Sequence, residues 1–372
     1  MPYLIQIDAN RFYTNYGPLV RAFEARLAEA RGVGPKSVVT SCNGTVALMQ
    51  TLLAVVDRVT ERAAYCITPS WTFVATPAAI QAAGLVPYFA DVSSGWALDP
   101  HQVEGLAARL RSQGHQIAAV MPVAPFGAPL DLIAWEAFQD RTGIPVVIDA
   151  AAGFDHFSHA GADYPPSSRL PVVISLHATK VFGIGEGAFI VTADEDLADR
   201  IRSWGNFGFH ESRDAKMSGI NSKMSEMSAA YGLALLDIWE VVRKEWVALT
   251  VEFRRHADSL PFLVPALDQS GQWVSSYGLV RLADSSIDLS VLMRRMADQK
   301  VETRRWWALG CHMQPAYRDC GQEKMGETKR LAKTVLGLPF WRGLKPEDMT
   351  KVFSVLADAV RVTAAETLED LH

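Results

Sequence analysis

Seven short apolar runs, rich in β-branched residues and separated by amphipathic stretches, constrain this chain more than any other feature. They are "SVVT" from Ser37, "AYCIT" from Ala64, "VPYFA" from Val86, "IAAVM" from Ile117, "PVVID" from Pro145, "PVVIS" from Pro171 and "GAFIVT" from Gly187. Their apolarity is continuous rather than alternating, the pattern a strand needs when both of its faces are buried. Between several of them lie segments such as "TVALMQTLLAVV" and "LIAWEAFQDRTG", which read as crossover helices. The alternation predicts an α/β fold with a mostly parallel sheet of about seven strands.

From about residue 240 the pattern changes. A long helical stretch is expected from Ser225 to about His256, then a strand at "YGLVRL", a helix at "LSVLMRRMADQK" and a final helix from Pro346. This order predicts a large domain over 1–240 and a smaller α+β C-terminal domain over 241–372, and the length of 372 residues is more than one ordinary domain uses. There is no internal repeat or low-complexity segment. The least organised stretches, 155–170 and 315–328, have the length of functional or mobile loops.

Charge and cysteine usage exclude several functions. A net charge of −5 without any block of like charges offers nothing to nucleic acid or to an anionic membrane, so a small anionic substrate needs a local basic pocket. Cys42, Cys66, Cys311 and Cys320 show no C-x-x-C pairing and no histidines at zinc spacing, although His312 follows Cys311 directly; they read as reduced thiols without a metal. The N-terminal segment lacks a basic region leading into an apolar one, and no run approaches the length of a membrane span. A soluble, cytoplasmic protein is expected.

Ligands in an open α/β sheet bind beyond the carboxyl ends of the strands, so the residues that end each run come first. After "SVVT" comes "SCNGT", where Gly44 and Thr45 open a helix; its free N–H groups suit a phosphate, or Thr45 simply caps the helix. "PSWTFVATPAAI" places Trp71 and Phe73 where one of them could cover a planar ring, or both could be core. Asp149 ends "PVVID", a buried carboxylate that needs a cation or donor as its partner. After "PVVIS" comes "LHATK", which carries Lys180 five residues past Ser175. Pyridoxal phosphate (PLP) needs four groups together: a lysine for its aldehyde, a phosphate cradle, an aromatic face and an anion for its ring nitrogen. All four lie at strand ends here.

These residues resemble the PLP-dependent sugar aminotransferases of the DegT/DnrJ/EryC1/StrS type, which have fold-type I, aspartate aminotransferase-like architecture. The resemblance covers nearly the whole chain. "YTNYGPLVRAFEARLA" is similar to the family's N-terminal signature, "NGTVAL" to its phosphate turn, "PSWTFVATPAAI" to its cofactor-stacking motif and "IDAAAG" to its pyridine-aspartate motif. "SLHATKVFGIGEGAFIVT" resembles the Schiff-base lysine motif, "GINSKMSEMSAAYGLALL" the segment given to the partner subunit, and "CHMQPAY" and "LGLPF" late motifs of the small domain.

The resemblance implies that Lys180 binds the cofactor covalently and moves the proton, Asp149 pairs with the pyridine nitrogen, and Phe73 stacks on the ring. It implies that Gly44, Thr45 and Ser175 hold the phosphate, joined by Asn221 from the other subunit of a homodimer. Two departures stand out: Ala152 replaces the family's usual Gln, and Ser222 and Lys223 replace an aromatic and an Arg. Family members that dehydrate the sugar carry His at the lysine position, so Lys180 points to transamination. "VETRRWWALG" looks like the corresponding segment of transaminases that make 4-amino-4,6-dideoxy sugars. There Arg304 and Arg305 would meet a nucleotide diphosphate, while Trp306 or Trp307 lines the sugar pocket; a surface basic pair followed by core aromatics is the plain alternative. Trp71 and His312 complete the candidate substrate contacts.

The function implied is transfer of an amino group from L-glutamate, through pyridoxamine phosphate, to a nucleotide-linked 4-keto-6-deoxyhexose. Alternatives are a 3-keto sugar nucleotide or cyclitol ketone as acceptor, and, from a different class, a non-catalytic PLP-fold binding or regulatory protein.

Overall fold

The computed structural model describes residues 2–56, 64–158, 165–209, 212–267 and 273–369. Each of the seven apolar runs contains a strand: β1 Val38–Ser41, β2 Tyr65–Pro69, β3 Val86–Ala90, β4 Ile117–Val120, β5 Ile148–Asp149, β6 Val172–Ser175 and β7 Ala188–Val191. They line up in the order β3-β2-β4-β5-β6-β7-β1, with β4 and β5 joined through the parallel bridges Val120–Val146 and Val123–Asp149. All neighbours run parallel except β7, which is antiparallel to both β1 and β6. Six strands therefore point one way, and their carboxyl ends share one edge of the sheet.

Continuous apolarity has a direct packing cause. Val38, Ile67, Ile148, Val172 and Ile174 pack into one hydrophobic cluster, and the alternate residues Val39, Cys66, Val147 and Val173 pack into another on the opposite face. Because side chains alternate across a strand, a run buried between two helical layers has to be apolar at every position.

A third cluster fills the C-terminal part. It is built on an antiparallel sheet of β8 (Leu263–Val264), β9 (Gly278–Leu282) and β10 (Val335–Leu338), covered by the helices Leu289–Asp298 and Pro346–Glu369. The helical stretch expected from Ser225 to His256 is two helices, Glu226–Leu236 and Trp239–Asp258. They part at Ile238, whose backbone leaves the helical region (φ −120°, ψ 8°), beside Asp237, which accepts from Tyr3 and pairs with Arg26. The second helix serves two cores: Trp239, Val242 and Trp246 pack against the large sheet, and Phe253 packs in the third cluster.

The loop expected over 155–170 begins as a short helix, Phe154–Ser158, and its part 159–164 lies outside the described residues. The 315–328 stretch is tied to the sheet. Asp91, just past β3, accepts from the backbone N–H groups of Gly326, Glu327 and Thr328 and from the Thr328 hydroxyl at 2.6–2.8 Å. No helix among the described residues is long and apolar enough to cross a membrane.

Candidate active site

The common strand edge opens into a cavity of about 750 Å³ that Gly44, Thr45, Phe73, Asp149, Ser175 and Lys180 all line. Six of the residues singled out in sequence thus meet in one place, although they span 137 positions (180 − 44 + 1).

Asp149 sits at the end of β5 and is only 4% exposed. Its Oδ2 accepts from the Thr76 hydroxyl at 2.8 Å and its Oδ1 from the Ala151 N–H at 3.1 Å, while the Thr76 hydroxyl is also bonded to that of Thr72 at 2.8 Å. Burial pushes its carboxyl above the usual carboxylate range, opposed by Thr76, the Ala151 N–H and the charge of Lys180. Two donors leave about half of a carboxylate's acceptor capacity open on the cavity side, which suits a cationic ring N–H.

The helix Gly44–Val55 starts at the cavity. Its cap is Asn43, whose side chain accepts from the Val46 N–H at 2.9 Å, so Thr45 is not the cap. A Cβ on Gly44 would come 3.1 Å from the Ser175 Cβ and 3.2 Å from its Oγ. Glycine therefore lets the helix start and the end of β6 close together around a small polar cradle of the kind that takes a phosphate.

Lys180 lies on the connection between β6 and β7. The ladder between those strands continues outward through Leu176 N–H to Gly187 O, at 2.9 Å, and Ala178 N–H to Gly185 O, at 2.8 Å. Gly185 takes φ +95°, and a Cβ on Gly183 would be 2.6 Å from the Ala178 carbonyl oxygen, so the turn requires glycine at both. The Lys180 Nζ donates to the Tyr277 hydroxyl at 2.8 Å.

Other candidates are placed differently. Phe73 is 59% exposed on the open side of the cavity. Trp71 is buried with its ring edge-on to Trp96 and Trp307, and does not line the cavity. His312 is likewise core rather than cavity wall: its Nδ1 is 2.6 Å from the Ser70 hydroxyl, and burial pushes its imidazole below the ordinary value. With the Cys311 N–H bonded to Ser70 O at 2.8 Å, this segment straps the 304–310 stretch over the strand ends.

Arg305 turns its guanidinium to the Ala332 carbonyl at 2.6 Å, away from the cavity. Arg304 faces a second groove, of about 650 Å³, together with Lys300, Lys351 and Trp341. Trp306 lines both spaces, and Trp307 lines the cavity, stacked on Phe126 at 3.8 Å. Asn221 is exposed, bridged to Asn206, and outside the cavity of this single chain. Ala152, which stands where the resemblance leads one to expect Gln, lines the cavity.

Sequence reasoning missed Thr76, Phe126 and Tyr277. Phe126 holds φ +54°, an outlier for a bulky residue that marks a constrained turn, and its carbonyl accepts from the buried Ser275 hydroxyl at 2.7 Å. Asn43, directly before Gly-Thr, did carry an N-cap signal. The buried acceptor, the glycine-closed cradle and the cavity-facing amine together fit PLP.

Known proteins share the sequence and fold of this chain. Protein Rv3402c of Mycobacterium tuberculosis is 34% identical over 240 residues, 62% of this chain and 55% of that protein, so the match spans little more than half of the relative's length. The dTDP-4-amino-4,6-dideoxy-D-glucose transaminase of Shigella dysenteriae is 27% identical over 362 residues, 96% of this chain and 95% of that enzyme. The crystal structure of DesI in the presence of its TDP-sugar product superposes with a TM-score of 0.84 at 31% identity, covering 99% of this chain and 92% of DesI. The architecture is the fold-type I fold of PLP-dependent aminotransferases. A family profile matches residues 1–357, and the chain belongs to the DegT/DnrJ/EryC1/StrS aminotransferase family.

Proposed function

We propose that this chain is a PLP-dependent aminotransferase that moves an amino group from L-glutamate to the keto carbon of a nucleotide-linked 4-keto-6-deoxyhexose, acting as a cytoplasmic homodimer. The observation that carries the reading is the convergence of a lysine amine, a buried carboxylate and a glycine-opened helix start on one cavity of about 750 Å³. The acceptor is inferred from the Shigella transaminase and from the TDP-sugar product of DesI. The adjoining groove supports it, because Arg304, Lys300 and Lys351 outnumber the carboxylates Glu302 and Asp348 there, beside the exposed rings of Trp306 and Trp341.

In this reading Gly44, Thr45 and Ser175 hold the cofactor's phosphate together with Asn221 of the partner subunit, Asp149 holds its protonated ring nitrogen, and Phe73 covers its ring. Bound PLP supplies an electron sink for the charge left when a proton departs from the donor's Cα. The Lys180 amine takes that proton, and in the second half of the cycle delivers one to the sugar carbon from the same side of the cavity, which sets the configuration of the new amine. Trp306, Trp307 and Phe126 keep bulk water from that face.

The test is a visible spectrum of the purified protein with PLP, followed by L-glutamate and then a dTDP-4-keto-6-deoxyhexose. The expected result is a cofactor band that glutamate bleaches, with release of 2-oxoglutarate, and that the keto sugar restores. In the Lys180→Ala variant the cofactor is not covalently held and turnover is lost. A protein that takes up no PLP, or a Lys180→Ala variant with full turnover, refutes the reading.

A further inference from the structure

The amine of Lys180 makes a single hydrogen bond among the described residues, and its partner comes from 97 positions away: the hydroxyl of Tyr277, at 2.8 Å. The lysine has a flexible four-carbon stem, and moving a proton between two carbons requires that its amine be held within reach of both. Tyr277 is built to hold it. It stands directly before β9, and its ring is edge-on to Phe126 at 5.2 Å and to Trp306 at 4.9 Å. Its backbone N–H donates to the Ser275 hydroxyl at 3.2 Å, which in turn donates to the carbonyl of the strained Phe126 at 2.7 Å. The following residue is pinned as well, since a Cβ on Gly278 would lie 2.7 Å from both Phe253 and Phe340. The backbone beside the phenol is thus seated on the third core, while the ring itself is held by Phe126 and Trp306.

We propose that Tyr277 is the positioning residue of Lys180: its hydroxyl fixes the freed amine on the cavity side and ties its placement to the seat of the small sheet. The inference rests on the reading of Lys180 as the proton-moving amine. A hydroxyl suits the task in both protonation states, because it accepts from the ammonium and donates to the neutral amine.

The test is Tyr277→Phe in the full chain, which keeps the ring contacts and deletes only the oxygen. The first readout needs no cofactor: acetic anhydride labelling of Lys180 in the cofactor-free protein, quantified by peptide mass spectrometry against exposed lysines. Loss of one hydrogen bond of ordinary strength should speed that labelling by about fivefold. In the PLP-loaded protein the glutamate half-reaction should slow by about tenfold in kcat with KM unchanged, as expected for loss of alignment rather than of binding. Unchanged labelling overturns the proposal, and so does a raised KM with kcat intact, which would make Tyr277 a substrate contact. If Tyr277→Phe does not fold, Ser275→Ala, which loosens the Tyr277 backbone but keeps its hydroxyl, should still accelerate labelling, and no change there also overturns it. Failure of the wild-type protein to react with glutamate strikes the aminotransferase reading instead, and leaves the labelling comparison standing.

Discussion

Replacing Asp149 with Asn separates what this carboxylate does for the cofactor from what it does to the fold. Asn has nearly the same shape, and its Oδ1 can still accept from the Ala151 N–H now at 3.1 Å. Its Nδ2 needs an acceptor where Asp149 now accepts from Thr76, and the hydroxyl chain can supply one by reversing. Thr76 would accept from Asn and donate to Thr72, whose oxygen is 2.8 Å away and free to serve in either role. No hydrogen bond is then lost, so the stability of the cofactor-free protein should stay within about 1 kcal/mol of wild type. The sign should favour Asn. Burial raises the Asp149 carboxyl, so its ionised form is the disfavoured one; the two proteins match at low pH, and wild type falls behind as pH rises through the elevated value. Activity should move the other way, because a charge-assisted hydrogen bond is worth about 1.5–3 kcal/mol and its loss slows the half-reaction by roughly 10- to 150-fold. Thermal unfolding of the cofactor-free proteins between pH 4 and pH 8, on the order of the span from carboxylate to neutral titrations, and stopped-flow with glutamate measure both. A strongly destabilised variant would refute the reversible chain, and an unchanged half-reaction would refute the pairing with the ring nitrogen.

Two further outcomes test the substrate end. Arg304→Ala removes an exposed charge whose weak intramolecular partner, Glu302, lies 3.8 Å away; KM for the nucleotide sugar should rise by up to about fivefold with kcat unchanged, and the rise should shrink at high salt. Gly337→Ala would put a Cβ 2.3 Å from the Trp306 Nε1 and 3.2 Å from the Arg304 carbonyl oxygen. Denaturant unfolding should show a loss of about 1–3 kcal/mol, and sugar-nucleotide binding should weaken more than glutamate binding does.

The meeting of Lys180, Asp149, Gly44 and Ser175 at one cavity was legible because each one ends an apolar run or follows it closely, and the sheet gathers those ends on one edge. The direction of β7 was not, since a run of four apolar residues carries no sign of which way it points. The placement of Trp71 and His312, candidate substrate contacts in the sequence, was not legible for a related reason. Their place in the chain is next to the site, but their side chains turn into the core, Trp71 against Trp96 and His312 against Ser70. Tyr277 was invisible because a tyrosine before a short strand has many uses, and only the packing of the small sheet brings it to Lys180. The break at Ile238 escaped detection because neither glycine nor proline marks it; tertiary bonds from Tyr3 and Arg26 to Asp237 do so instead.

The reversed direction of β7 bears on how accurately the lysine is placed. Parallel neighbours in a sheet have to be joined by a crossover of a dozen or more residues, whose own fluctuations reach whatever it carries. Antiparallel neighbours instead allow a closed connection, and here Ser175 faces Ala188 across the ladder while further backbone bonds, among them Ile184 N–H to Leu176 O at 2.9 Å, tighten the loop above it. The entropy of closing that loop is lost once, when the sheet forms, and none of it is left to be lost at each turnover. Length tolerance should follow the same division: the outer crossovers can absorb an added residue, whereas one added between Gly183 and Gly185 displaces the amine itself.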